Sequence, residues 1–115
     1  HPMKNQPNSP LTEATFFILL SLSPSAKHGY AIMKEVKMLS KGRVVFSTGT
    51  LYGALRRLLE QGWIKRVSDP EPNPTDRERK AYTLTDKGRK IVNAEIERLR
   101  SLVTTAEQHT SESTS

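Results

Sequence analysis

The sequence predicts a mainly α fold with a small β-hairpin, and three observations carry that prediction. Four segments place apolar residues at helical spacing, and one of these helices runs directly into two β-type runs separated by a proline-rich loop. The last segment carries its apolar residues in a heptad pattern. At 115 residues the chain has room for one domain. It contains no cysteine, which excludes a disulfide framework, a thiolate zinc site and a cysteine nucleophile. The longest apolar run, Phe16 to Leu20, is five residues, against the ~20 of a membrane-spanning helix. With no secretory leader expected either, no membrane partner and a cytoplasmic location are expected. Hydrophobic residues make up only 35% of the chain, so a partner subunit would help to cover its apolar surface.

The net charge is +6, and its distribution is uneven. Between Lys41 and Ser68 six basic residues (Lys41, Arg43, Arg56, Arg57, Lys65, Arg66) face one acidic residue, Glu60. From Ala81 to the end five basic residues balance five acidic ones. A charge run is commonly a solvated face; here it coincides with a helix that aims it outward.

Taken in order, residues 1–8 are expected to be an expression scar (His1-Pro2) and a flexible N-terminus. Ser9-Pro10 reads as an N-cap with proline in the first turn, opening a helix through Leu11, Ala14, Phe17, Ile18 and Leu22 that stops near Pro24. Because Phe16 to Leu20 is apolar on every side, one side is expected to face the core and the other a partner subunit, with Phe16 and Leu20 at the interface. A second helix fits Gly29 to Ser40, with Tyr30, Met33, Val36 and Leu39 at helical spacing and Gly42 as its stop. Met33 and Met38 read as core fillers.

The third helix is bracketed by Ser47 as N-cap and Gly62 as the residue past its end. Leu51, Ala54, Leu55, Leu58 and Leu59 fill one arc. Gly49, Thr50, Tyr52, Gly53, Arg56, Arg57 and Glu60 fill the other, and Thr48 in the first turn is a candidate DNA contact beside Ser47. Glycine inside a helix costs up to ~1 kcal/mol against alanine, so Gly49 and Gly53 on the outer arc ask for a reason, such as close approach of another backbone. Small residues, hydroxyls, a tyrosine and two arginines suit the major groove of double-stranded DNA, because the N-terminal N–H groups can meet a phosphate and Arg can pair with phosphate or guanine. On this helix alone an ordinary amphipathic surface helix is an equal reading. The next stretch favours DNA. Trp63 to Val67 and Lys80 to Leu84 read as strands around a loop holding Pro70, Pro72 and Pro74. Helix, strand, long loop, strand after a helical pair is the plan of a winged helix-turn-helix, spanning residues 9–84. Its wing would contact DNA through the return arm, Arg77, Arg79 and Lys80, because the outward arm is acidic (Asp69, Glu71).

Thr85 then caps a last helix, expected over residues 85–106. Val92, Ile96, Leu99, Val103 and Ala106 form a heptad seam on it, expected to make a homodimer. Residues 107–115 are Ser/Thr-rich and expected to be a disordered tail. No enzyme activity, cofactor or metal is expected. His28, the one histidine in an ordered segment, reads as a capping or packing residue, and no set of residues could do general acid–base or nucleophilic work. A helical protein–protein adaptor without DNA binding would account for the heptad and the apolar first helix, but not for the Arg-Arg face beside a hairpin.

Three motifs in order, Ser47-x-Gly49-Thr50-Leu51-Tyr52-x-Ala54-Leu55-x-Arg57-Leu58, His28-Gly29-Tyr30, and Arg79-Lys80-x-Tyr82-x-Leu84-Thr85-x-x-Gly88, resemble the PadR family of transcriptional regulators from about Leu11 to Ala106. The resemblance implies a dimeric winged-helix repressor with the third helix in the major groove and a palindromic operator. It matches Ser47, Gly49, Thr50 and Tyr52 to the family's recognition-helix motif, and Arg79 and Lys80 to its wing. It further implies release by a small aromatic or hydrophobic effector held between subunits. The chain departs from the family pattern at Gly53, where proline is frequent, and at Trp63, where leucine is frequent.

Overall fold

The computed structural model describes residues 10–68 and 80–113, with side chains through Ser111. Helix α1 spans Glu13–Leu22. It starts later than expected: Thr12, not Ser9, is its N-cap, its Oγ1 accepting from the Thr15 N–H at 3.1 Å. A second capping residue three positions on was as good a start signal, and here it also places Glu13 in the first turn, where its charge favours the helix dipole. Strand β1, Lys27–His28, leads straight into α2, Gly29–Leu39. The α2–α3 connection turns sharply at Lys41 and Gly42, both at positive φ. The buried Ser40 holds this turn, its Oγ accepting from the Val44 N–H at 2.9 Å.

Helix α3 spans Thr48–Gln61, with Ser47 as N-cap and Gly62 as a left-handed C-cap. Strands β2 (Ile64–Ser68) and β3 (Lys80–Leu84) pair antiparallel, with Ile64 opposite Leu84 and Ser68 opposite Lys80. The sequence led to a two-stranded hairpin; the sheet has a third member, β1, in the order β1-β3-β2, with Lys27 opposite Tyr82 and His28 opposite Ala81. The core lies where α1, α2 and α3 meet this sheet. Ile18, Leu19, Leu22, Ile32, Val36, Leu51, Leu55, Leu58, Ile64 and Leu84 pack there. Trp63 is half-buried against the same core.

Helix α4, Asp86–Ser113, is 28 residues long, about 42 Å. Residues 107–113, expected to be part of a disordered tail, continue this helix. No Gly or Pro interrupts them, and Thr110 Oγ1 donates back to the carbonyls of Ala106 and Glu107 at 3.0 and 3.2 Å. Val92, expected on the subunit seam, is 4% exposed and belongs to its own chain's core, because α4 lies against β3 and α1.

The start of α4 is fastened to the end of α3. Thr85 Oγ1 accepts from the Gly88 N–H at 3.0 Å, the expected N-cap bond, and donates to the Gly62 carbonyl at 2.6 Å. The Thr85 N–H donates to the Trp63 carbonyl at 3.1 Å. Gly88 lies so close to that carbonyl that a Cβ would overlap it.

Candidate nucleic-acid interface

Helix α3 divides into the two arcs its sequence predicts. Leu51, Ala54, Leu55 and Leu58 are buried, and Leu59 is half-buried. Ser47, Thr48, Gly49, Thr50, Tyr52, Arg56, Arg57 and Glu60 are exposed. The N-terminal turn is organised by Ser47, whose Oγ accepts from the Thr50 N–H at 3.2 Å and donates to Thr50 Oγ1 at 2.9 Å. Among the described residues, nothing beyond its chain neighbours and its own helix backbone lies within 4 Å of a Cβ built on Gly49. The open side of α3 is therefore smooth at its N-terminal end, with backbone accessible from outside. Gly53 is half-buried, and the Arg57 side chain lies back along the helix toward it, with Nη1 3.9 Å from the position a Gly53 Cβ would take.

The charges differ in availability. Arg43, part of the basic stretch, is paired with Glu13 at 2.7 Å, and Lys27 sits 3.6 Å from Glu35. Arg98 and Arg100 on α4 are paired with Glu95 and Glu97. Among the described residues Arg56 and Arg57 form no ion pair. Their full charge is directed to the open side of α3, where an approaching anion would meet it.

Lys80, at the start of β3, is exposed. Arg77 and Arg79, expected on the wing, lie outside the described residues, as do the proline-rich loop 69–79 and residues 1–9. Helix α2 brings a further element beside α3 that the sequence did not assign to the site: the Tyr52 hydroxyl rests against Gly29. Tyr30 follows at 63% exposure, with Lys34 Nζ 5.6 Å from its ring centroid. The i,i+4 spacing of Tyr30 and Lys34 was the signal that could have found this pair.

The residues expected at a subunit interface do not all face the same way. Phe16, Leu20 and Ile96 are half-buried against their own core. Leu99 is half-buried, Val103 is 55% exposed and Ala106 is exposed. From Ser101 to Ser111 every residue of α4 is exposed, so this end of the helix projects from the domain. Among the described residues no group of three or more His, Asp or Glu could hold a metal ion, and no helix is long and apolar enough to cross a membrane.

The fold is that of several solved regulators. A PadR family transcription regulator from hypervirulent Clostridium difficile matches with a TM-score of 0.69 at 23% identity, over 86% of this chain and 99% of that one. A PadR-like transcriptional regulator from Bacillus cereus matches with a TM-score of 0.67 at 22% identity, over 84% and 89% of the two chains. PadR of Bacillus subtilis, solved in complex with operator DNA, matches at 26% identity with a TM-score of 0.59, over 69% of this chain and 44% of that one. No curated protein matches the chain. The model of the transcriptional regulator PadR-like family matches residues 18–94, from the middle of α1 through the sheet to the first turns of α4. The winged helix-turn-helix core with its exposed α3 thus has its family, and the chain belongs to the PadR-like transcriptional regulators.

Proposed function

We propose that the protein is a cytoplasmic, sequence-specific repressor that binds a palindromic operator as a homodimer and is released by a small aromatic or hydrophobic effector. The observation that carries the DNA reading is the division of α3: leucines sealed into the core on one side, and Thr48, Gly49, Thr50, Tyr52, Arg56 and Arg57 open on the other, the two arginines forming no ion pair among the described residues. Ser47 and Gly53 complete this surface, and Lys80, with Arg77 and Arg79, extends it to the wing. Thr and Tyr hydroxyls and the first-turn N–H groups fix the helix on the phosphates, while an arginine reaches phosphate or guanine. The operator-bound Bacillus subtilis relative supports this use of the fold.

Phe16, Leu20, Ile96, Leu99, Val103 and Ala106 form the subunit contact in this reading, α4 pairing along its seam while the half-buried side of α1 adds area. Two copies related by a twofold axis set their α3 helices on half-sites one helical turn (about 10 base pairs) or a multiple apart. The test is footprinting on the DNA upstream of the protein's own gene, followed by binding titrations on the protected duplex. A protected, partly palindromic site whose affinity falls steeply with salt is expected. Absence of any protected site, or an affinity independent of salt, overturns the proposal.

A further inference from the structure

Gly29 is a glycine that its backbone does not need. It is the first residue of α2, a position that any residue can occupy, and its φ is not in the left-handed region, unlike those of Gly42 and Gly62. Space explains it instead. A Cβ on Gly29 would lie 2.8 Å from Tyr52 Cζ and 3.4 Å from Cε1, and would overlap the hydroxyl oxygen. The three nearest atoms among the described residues all belong to this one side chain, and it comes from α3. Tyr52 is accordingly only 42% exposed although it sits on the open arc.

We propose that Gly29 is a positioning residue for DNA recognition: its missing side chain forms the seat that holds the Tyr52 ring at the α2–α3 crease and presents its hydroxyl to the DNA. This rests on the reading of α3 as the recognition helix. A tyrosine free on a helix surface must be immobilised when it meets DNA, whereas one already seated has lost that freedom on folding. Seating is worth about 2- to 10-fold in affinity per side chain, hence about 4- to 100-fold for a twofold complex.

The experiment is a double-mutant cycle on the full chain, read by fluorescence anisotropy on the footprinted duplex. Gly29→Ala is expected to weaken binding about 4- to 100-fold with unchanged circular dichroism and dimer content. In a Tyr52→Ala background, itself weakened, Gly29→Ala is expected to have no further effect. Wild-type affinity for Gly29→Ala overturns the proposal, and so does a loss that persists undiminished without Tyr52. Nuclear Overhauser contacts between the Tyr52 ring and the Gly29 Hα protons in the wild-type free protein give a second readout; their absence overturns the seat even if Gly29→Ala does not fold. Should the wild-type protein bind no duplex, the repressor reading and this proposal fall together. Should it bind while Tyr52→Ala binds equally well, only the seat is lost.

Discussion

Arg57 offers a quantitative test of how α3 meets DNA. Its guanidinium is exposed, free of ion pairs among the described residues, and folded back along the helix toward Gly53. Lying close to the helix surface, it is placed for a phosphate beside the groove. Each phosphate neutralised contributes about −0.9 to the slope of log affinity against log salt. Arg57→Ala in a twofold complex removes two such contacts, so the slope should become shallower by about 1.8. Across a fourfold salt range, from about 50 to about 200 mM, the penalty of the substitution should shrink by about tenfold, or about 1.4 kcal/mol. Arg43→Ala is the matched control, because that guanidinium is already committed to Glu13 and its removal should leave the slope nearly unchanged. Anisotropy titrations at four or more salt concentrations provide the measurement. An Arg57→Ala slope and affinity equal to wild type would refute the reasoning. A loss of about 1–3 kcal/mol confined to the cognate duplex, with the slope intact, would instead make Arg57 a reader of guanine.

Other variants probe the remaining parts. Val103→Glu changes a residue already exposed in the single chain, so folding should persist while self-association weakens by at least about 100-fold, as a carboxylate is forced into the seam; sedimentation showing an intact dimer would remove α4 from the interface. Thr85→Val deletes the N-cap bond to Gly88 and the bond to the Gly62 carbonyl, and should cost about 1–3 kcal/mol in urea unfolding; an unchanged midpoint would show that these bonds carry no net stability. Glu95 is buried, and hydrogen bonds from Arg98 hold its carboxyl below the usual range against the opposing effect of burial, with the Arg98 charge and the Leu11 N–H adding to the lowering. A depressed folded-state pKa gives stability that is present above the unfolded value of about 4.3 and is lost as pH falls through the lower folded value. The gap in stability between wild type and Glu95→Gln should therefore narrow as the solution is acidified below about pH 5, and parallel pH curves would contradict it.

The legible parts of the fold share a physical property: their signals are local. Ser47 and Gly62 mark the ends of α3 because a cap hydroxyl and a left-handed glycine act within one turn, and the leucine arc then fixes which side is open. The parts that were not legible depend on distant residues or on competing local signals. Strand β1 is only Lys27–His28, and nothing in that dipeptide favours extended structure; it is a strand because Ala81 and Tyr82 lie alongside. Two good caps, Ser9 and Thr12, precede α1, and local chemistry does not rank them. The heptad from Val92 to Ala106 gives a stripe but not its cover, so Val92 went to the chain's own core while Val103 stayed open. In the site, the side chains of α3 were placed by their 100° spacing alone. The fit of Tyr52 to Gly29 was invisible, because it joins positions far apart in sequence and is recorded only as a missing methyl group.

The junction at Thr85 has one more consequence. Gly62 and Trp63 at one end of the hairpin, and Thr85 and Gly88 at the other, are stapled together, so the segment between them is a detour that returns to its starting point. A detour closed at its base can lengthen or shorten at its tip without altering the bearing of the helix before it relative to the one after. A wing of any length can therefore be hung from the same α3–α4 frame.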